Sequence, residues 1–448
     1  MTSPPNVAAA RDPVKRSVPH TVLVQVLGFP LALAHAVLVA RTFGPVGRGT
    51  YDLGTTTAAL GVSLLGLSLP AGVTYIVARD DVAPRRIIRA VLPSVLAVTV
   101  LFTVSAVTVA HFTTTFPSWV ALRPLVPLVV LSFLAMLLGG ILRGTLVGQR
   151  RIVLANYLEL SARAASLVML VVVCGAVALS GRGSVVTAYA ASTAAAWLCA
   201  FLLARASFRS GGADVPVRGR ELARFLLPVH LANLVQFLNY RLDVFILASL
   251  AGPASIGLYG AAVGAAQLPW LVAGSIASVV FPETAATAGR PGEAGRARST
   301  ARLARVTLWA SGIVAIILAL AGPSLIRLLY GRAFEPSAAA LLLLLPGTAL
   351  LSAAMVLSSH VVGAGHPRVN LAIGCVSLVV TVTLDLWLIP KIGIRGAAIA
   401  STCSYTVCAI LMAVAFHRMT GIGLGELILL RPGDLKVLVG ALRAVLPR

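Results

Sequence analysis

Gly44-Pro45-Val46-Gly47-Arg48-Gly49-Thr50-Tyr51 returns as Gly252-Pro253-Ala254-Ser255-Ile256-Gly257-Leu258-Tyr259, 208 residues further along the chain. Both octets read G-P-x-x-x-G-x-Y, and each follows a long apolar run. Ala188-Tyr189-Ala190-Ala191-Ser192-Thr193 is matched in turn by Ala397-Ala398-Ile399-Ala400-Ser401-Thr402, at an offset of 209. Two short matches at nearly one offset read as an internal duplication. Gly-Pro with a nearby Gly after a helix is turn chemistry, so the octets mark architecture and not a ligand site.

The apolar runs on either side of these octets set the architecture. A membrane helix needs about 20 mainly apolar residues. Such runs fall at 20–41, 51–78, 87–111, 122–147, 153–179 and 185–206, and again at 222–250, 256–285, 302–321, 336–362, 369–389 and 395–417. The expected fold is an all-α polytopic membrane protein with twelve transmembrane helices. Six spans per half make both halves start on the same side, so the two six-helix bundles are parallel and pseudo-symmetric. The bundles cover 20–206 and 222–417, with a tail at 1–19, a basic linker at 207–221 containing Gly211, Gly212 and Pro216, and a tail at 418–448.

Composition agrees. Hydrophobic residues make up 58% of the chain and charged ones 11%, with mean hydropathy +0.95, against roughly a quarter charged in soluble domains. The net charge of +22 comes from short Arg clusters between apolar runs with few aromatics among them, which is not the footprint of a nucleic-acid surface. Only Lys15, Lys391 and Lys436 are lysines, a bias that fits a GC-rich bacterial genome. Cys174, Cys199, Cys375, Cys403 and Cys408 all lie in apolar runs and lack metal-ligand spacing, so they read as packing residues. Ala34-His35-Ala36 superficially resembles a signal-peptide cleavage site. The run around it is too long for one, and its loss would break the repeat.

Basic residues give an orientation through the positive-inside rule. With the N-terminus inside, 26 of the 36 fall on the cytoplasmic side and eight outside. The remaining two, Arg163 and Arg241, lie within spans. The expected topology is N-in, C-in, in the bacterial cytoplasmic membrane. After the last span, 434–446 places Leu435, Leu438, Val439, Leu442, Val445 and Leu446 on one face opposite Lys436 and Arg443, the pattern of a helix lying on the inner membrane surface.

An ionisable residue inside a span is costly and marks a candidate functional site. Five stand out: Glu159 and Arg163, Arg241 and Asp243, and Asp385. In the seventh span Leu231, Leu234, Val235, Leu238, Leu242, Phe245 and Ile246 occupy one arc, while His230, Asn233, Gln236, Asn239, Tyr240, Arg241 and Asp243 fall outside it. That polar face is expected to line a cavity, with a helix–helix hydrogen-bond network as the alternative. Glu159 and Arg163, spaced i and i+4, form either a self-neutralising pair or part of the same lining. Asp385 reads as a lone acid, either a cation ligand or a group that reaches the interface or accepts a backbone bond. His35 reads as a satisfied polar contact. No nucleophile elbow, metal-ligand spacing or P-loop is present, so no metal, cofactor or catalytic residue is expected.

Arg41-x-x-Gly44-Pro45-x-x-x-Gly49-x-Tyr51 resembles the junction between spans one and two of Wzx-type polysaccharide flippases, which share a superfamily with the MATE exporters and the lipid II flippase MurJ. Arg241-x-Asp243, Gly252–Tyr259, Phe281-Pro282, Leu329-Tyr330-Gly331-x-x-Phe334 and Ile392-Gly393-Ile394-x-Gly396-Ala397-Ala398-Ile399-Ala400 extend the resemblance over nearly the whole chain. MurJ-like proteins typically have fourteen spans, and the tail after 418 does not supply two more. The resemblance implies a flippase, not an enzyme, that carries an undecaprenyl-pyrophosphate-linked oligosaccharide from the inner to the outer leaflet for surface polysaccharide assembly. The two bundles would alternate access, alongside polymerase or glycosyltransferase partners. In this reading Arg163 and Arg241 meet the phosphates. His230, Asn233, Gln236 and Asn239 meet the sugar, and Glu159, Asp243 or Asp385 binds a coupling proton or sodium ion. The alternatives are a MATE-like cation-coupled exporter of organic cations, disfavoured by a first span without acids and only 6% aromatics, and a non-transporting membrane subunit of a glycan-assembly complex.

Overall fold

The computed structural model describes residues 12–80, 82–112, 116–180, 184–208, 219–287, 289, 292–431 and 434. Among them the secondary structure is helical, apart from turns. Helix α1 runs Asp12–Leu65, and Gly44 inside it has φ 66° and ψ −172°, a conformation essentially restricted to glycine. The chain folds back at that point. Arg48 donates from Nη1 to the Ala36 carbonyl at 2.8 Å, and Tyr51 Oη lies 3.4 Å from His35 Nε2. In a straight helix, sixteen residues would separate those two side chains by about 24 Å.

The second octet builds the same corner. Gly252 has φ 82° and ψ 169°, and Pro253 follows at the first position of the next helix, where its missing N–H costs nothing. The duplication read from sequence is therefore a duplicated reversal, each with a glycine that no other residue replaces cheaply.

Beyond each corner the structure departs from expectation. The runs 51–78 and 256–285 are each broken in two. In the first half α1 ends at Leu65 and α2 spans Leu69–Asp80, with Leu67 and Ser68 at positive φ between them. The remaining helices of this half are α3 (Pro84–Phe112), α4 (Pro117–Leu122), α5 (Val126–Gly148), α6 (Ile152–Ser180) and α7 (Val185–Phe208). A 3-10 turn at Arg123–Leu125 joins α4 to α5. Helix α8 (Gly219–Leu250) leads into α9 (Pro253–Ala266) and α10 (Leu268–Thr287), which part at Gln267. Pro70 and Pro269 explain both breaks. Each stands second in the helix that restarts, where its ring cannot donate back to the preceding turn.

The chain continues through α11 (Glu293–Tyr330), α12 (Ser337–Gly363), α13 (Pro367–Ile392), α14 (Ile394–Thr420) and α15 (Leu424–Ile428). Among the described residues ten helices are long and apolar enough to cross a membrane. Helix α8 falls outside that set because its polar residues dilute its hydropathy. The protein is thus an all-α polytopic membrane protein with about ten candidate spans. Val100, Val172 and Leu320 are 63%, 66% and 80% exposed, as helix faces bathed in lipid are.

The chain divides into two compact units, Met1–Phe237 and Leu238–Arg448, and the division falls inside α8. Unit one is built around α5, which packs against α1, α2, α6 and α7. Unit two is built around α12, which packs against α9, α10, α11 and α14. Lipid tails give apolar helices little hydrophobic reason to associate, so small residues allow close packing instead. A methyl group on Gly347 of α12 would stand 2.6 Å from Thr402 Cα of α14. In unit one a methyl on Gly148 of α5 would stand 2.6 Å from Val77 Cβ of α2.

At one end of unit two a strap follows α14. Asp434 is buried and accepts from Arg305 Nε at 2.7 Å and Arg302 Nε at 3.1 Å. Arg305 also donates to the Glu426 carbonyl, and Trp309 donates to the Ile428 carbonyl at 2.8 Å. The hydrogen bond and charge of Arg305, with the hydrogen bonds from the Arg431 amide and Arg302, hold the Asp434 carboxyl down to about 2. The surface helix expected at 434–446 lies outside the described residues beyond Asp434, as do 1–11 and 209–218 of the expected tail and linker.

Candidate functional site

Among the polar clusters within the described helices, three hold ionisable residues that the sequence singles out. The first, in unit one, is centred on Glu159 of α6. Its Oε1 accepts from Arg163 Nη2 at 2.9 Å, and its Oε2 accepts from Arg143 Nε of α5 at 3.0 Å. The i, i+4 pair expected from sequence is present, and a third member joins it. Arg143 also reaches Asn156 Oδ1 at 3.3 Å. Arg163 lies against α1 at Gly28, where a side chain would meet its Nη1 at 2.9 Å. Two guanidinium groups share one carboxylate, which leaves a net positive charge. All three side chains stay accessible, at 46% for Arg143, 37% for Glu159 and 50% for Arg163. In sequence Arg143 reads only as one of the basic residues near an inner turn. Its partnership depends on how α5 packs beside α6, which the pattern of either helix alone does not contain.

The second cluster, in unit two, is acidic and enclosed. Asp243 Oδ2 accepts from Tyr259 Oη at 2.5 Å, and its Oδ1 accepts from the Val244 amide at 2.8 Å. Tyr259 Oη lies 3.1 Å from Ser401 Oγ. Asp243 and Tyr259 are 5% and 1% exposed. Asp385 on α13 is fully buried. Among the described residues neither of its oxygens has a hydrogen-bond partner, and it lies within the electrostatic reach of Asp243. Asp385 is therefore not the isolated, interface-seeking acid that its place in the sequence allows. Tyr240, Trp270 and Tyr405 pack as an aromatic group beside this cluster, with ring centroids 5.2 to 6.3 Å apart.

The third cluster lies in unit one, where His35 Nε2 is 3.1 Å from Ser192 Oγ of α7 and 3.4 Å from Tyr51 Oη.

The remaining residues of α8 divide between the two units. His230 is buried, while Asn233 and Gln236 are exposed, with Asn233 Nδ2 donating to Ser68 Oγ at 3.3 Å. All three belong to unit one. Asn239 is buried in unit two and donates to the Gly374 carbonyl at 2.9 Å. Arg241 is half-buried and close enough to Asp243 to act on its charge. The structure thus gathers Glu159 with Arg163, and Arg241 with Asp243 and Asp385. It does not gather the four sugar candidates into one cluster. An open depression lined by Val107, Ala110, His111, Arg123, Val126 and Pro127 contains none of the candidates.

This arrangement of helices is also found in solved structures of transporters. The fold matches the lipid II flippase MurJ in an inward closed conformation with a TM-score of 0.72, at 13% identity, over 96% of this chain and 93% of that one. An inward-facing multidrug resistance MATE transporter of the MOP superfamily matches with a TM-score of 0.68, at 16% identity, over 89% of this chain and 94% of that one. A MOP superfamily transporter from Pyrococcus furiosus, whose report describes a binding pocket of reversed polarity, matches at 0.66 and 16% identity over 94% and 99%. No curated protein sequence matches the chain. Residues 14–287 match the model of the polysaccharide biosynthesis protein family. The chain belongs to that family.

Proposed function

We propose that the protein is a flippase that moves an undecaprenyl-pyrophosphate-linked oligosaccharide from the inner to the outer leaflet of the bacterial cytoplasmic membrane. Twelve spans in two parallel bundles, N-in and C-in, alternate in exposing the cargo site. The observation that carries this reading is the Arg143–Glu159–Arg163 cluster. A diphosphate needs fixed, accessible positive charge, and guanidinium groups match its oxygens two at a time. Glu159, with both oxygens engaged, holds the two guanidinium groups apart and in place. The match to the polysaccharide biosynthesis protein family supports this reading, in which a polymerase or glycosyltransferases would be the partners.

Arg241 is the phosphate candidate of unit two, and His230, Asn233, Gln236 and Asn239 are the sugar candidates. Asp243 and Asp385 are the coupling candidates for a proton or sodium ion. Asp385, a buried carboxyl with both oxygens unsatisfied among the described residues, would be stabilised by either.

Export of surface polysaccharide by Arg143→Ala and Arg163→Ala variants, at matched protein levels, tests the reading. Both variants should lose export, and wild-type export in either would overturn the phosphate assignment. A second reading is favoured by the acid pair itself: Asp243, Asp385 and the aromatic group beside them would suit an organic cation. Cation-dependent dye efflux without glycan export would establish it.

A further inference from the structure

The repeat aligns more than turns. Adding 208 to His35 gives Asp243, adding 208 to Tyr51 gives Tyr259, and adding 209 to Ser192 gives Ser401. These are the same offsets that relate the two octets and the two Ala-Ser-Thr segments. The three residues on each side also form one cluster, joined through Tyr259 in unit two and through His35 in unit one. In unit two Tyr259 joins Asp243 at 2.5 Å and Ser401 at 3.1 Å. In unit one His35 joins Ser192 at 3.1 Å and Tyr51 at 3.4 Å. One duplicated scaffold therefore holds a tyrosine, a serine and one titratable group, and that group is an imidazole in the first half and a carboxyl in the second.

We propose that His35, Tyr51 and Ser192 form a proton-binding site in the N-terminal half, the counterpart by duplication of the Asp243, Tyr259 and Ser401 cluster. Hydroxyl groups both donate and accept, so this setting satisfies the ring in either charge state. Ser192 Oγ donates to the Ala188 carbonyl at 3.2 Å, which turns its lone pairs toward His35 Nε2 and suits a proton carried there. Tyr51, packed edge-on to Tyr189 at 5.3 Å, supplies the second hydroxyl. The triad contains no carboxylate, so it suits a proton and not a metal cation.

The charged groups around the ring are already engaged. Within α1, Arg48 is held by Asp52 at 3.3 Å and by the Ala36 carbonyl at 2.8 Å. Helix α7 contributes Tyr189, and α6 contributes Glu159 and Arg163, which are tied to each other and to Arg143 of α5. Arg163 meets α1 at Gly28, two turns before His35. Helix α4 has no ionisable side chain, and α3 carries Arg85, Arg86, Arg89 and His111 at its ends. A proton on His35 therefore adds uncompensated positive charge inside a membrane helix. It favours whichever arrangement of this half offers that charge water or an acid.

The proposal does not depend on the cargo, and its test does not measure transport. The full-length protein, labelled at its histidine rings and held in lipid nanodiscs, is titrated between about pH 3 and 8 by nuclear magnetic resonance. One of seven ring signals should pass from neutral to cationic, vanish in His35→Gln, and shift its midpoint by about half a pH unit or more in both Ser192→Ala and Tyr51→Phe. Tyr259→Phe should leave that midpoint unchanged. If His35→Gln fails to fold, the shared response to Ser192→Ala and Tyr51→Phe identifies the signal. A His35 ring that stays in one protonation state throughout, or no ring signal that responds to both neighbours, would overturn the proposal.

Discussion

The two halves share a scaffold and differ in charge. Unit one holds His35 beside Tyr51 and Ser192, together with an accessible Arg143–Glu159–Arg163 cluster. Unit two holds Asp243 beside Tyr259 and Ser401, with Asp385 buried nearby. Duplication has preserved the corner glycines, the tyrosines and the serines, and has let the titratable position and its surroundings diverge. The first half therefore holds an accessible basic cluster and the second a buried acidic one. The difference suggests a division of labour, and each of the following substitutions strains it at a different point.

The largest effect should come from the basic half. Arg163→Ala removes one of two guanidinium groups and leaves Glu159 half-paired. With charge-assisted hydrogen bonds each contributing about 1.5–3 kcal/mol, export should fall about tenfold or more, as read from surface polysaccharide at equal protein levels. Asp243→Asn should act differently. It keeps a partner for Tyr259 but removes the charge, so residual export, severalfold lower, should no longer respond when ion gradients are collapsed. An unaltered gradient response would remove Asp243 from coupling.

Smaller effects test the scaffold. Gly347→Ala drives a methyl into Thr402 and should cost about 1–3 kcal/mol of stability, seen as a lower melting temperature in detergent without a change in gradient response. Asp434→Asn should be the mildest. The carboxyl's folded value of about 2 lies below its ordinary 3.8, so its stabilisation is complete above the ordinary value and is lost as pH falls through about 2. At pH 7 the variant should melt lower by about 2–4 °C, and near pH 2 the two proteins should melt together.

Much of the fold was legible because a helix in lipid must satisfy its own backbone, so each apolar run signals a helix without reference to its neighbours. The Gly44 and Gly252 corners were legible for a similar reason, since turn chemistry is local. The breaks before Pro70 and Pro269 were not, because membrane helices often carry proline unbroken and the outcome depends on packing. At the site, Glu159 with Arg163 was visible because the pair lies one turn apart on one helix, and Arg241 and Asp243 were visible as members of one polar face. Arg143 and the burial of Asp385 were not, because both depend on another helix.

Sequence by itself determined the membrane class, the duplication and the charged residues placed within apolar runs. Hydropathy and repeat offsets are properties of the chain, and no contact alters them. Only the tertiary structure decided which of those residues meet. It set Arg143 against Glu159, and it set Tyr51 and Ser192 against His35 where unit two sets Asp243 and Ser401 against Tyr259. The Gly-Pro octets thus proved to mark more than turns. Folding back at Gly44 and Gly252 brings residues sixteen positions apart within hydrogen-bonding distance or close to it, and that geometry turns a repeated corner into a repeated site.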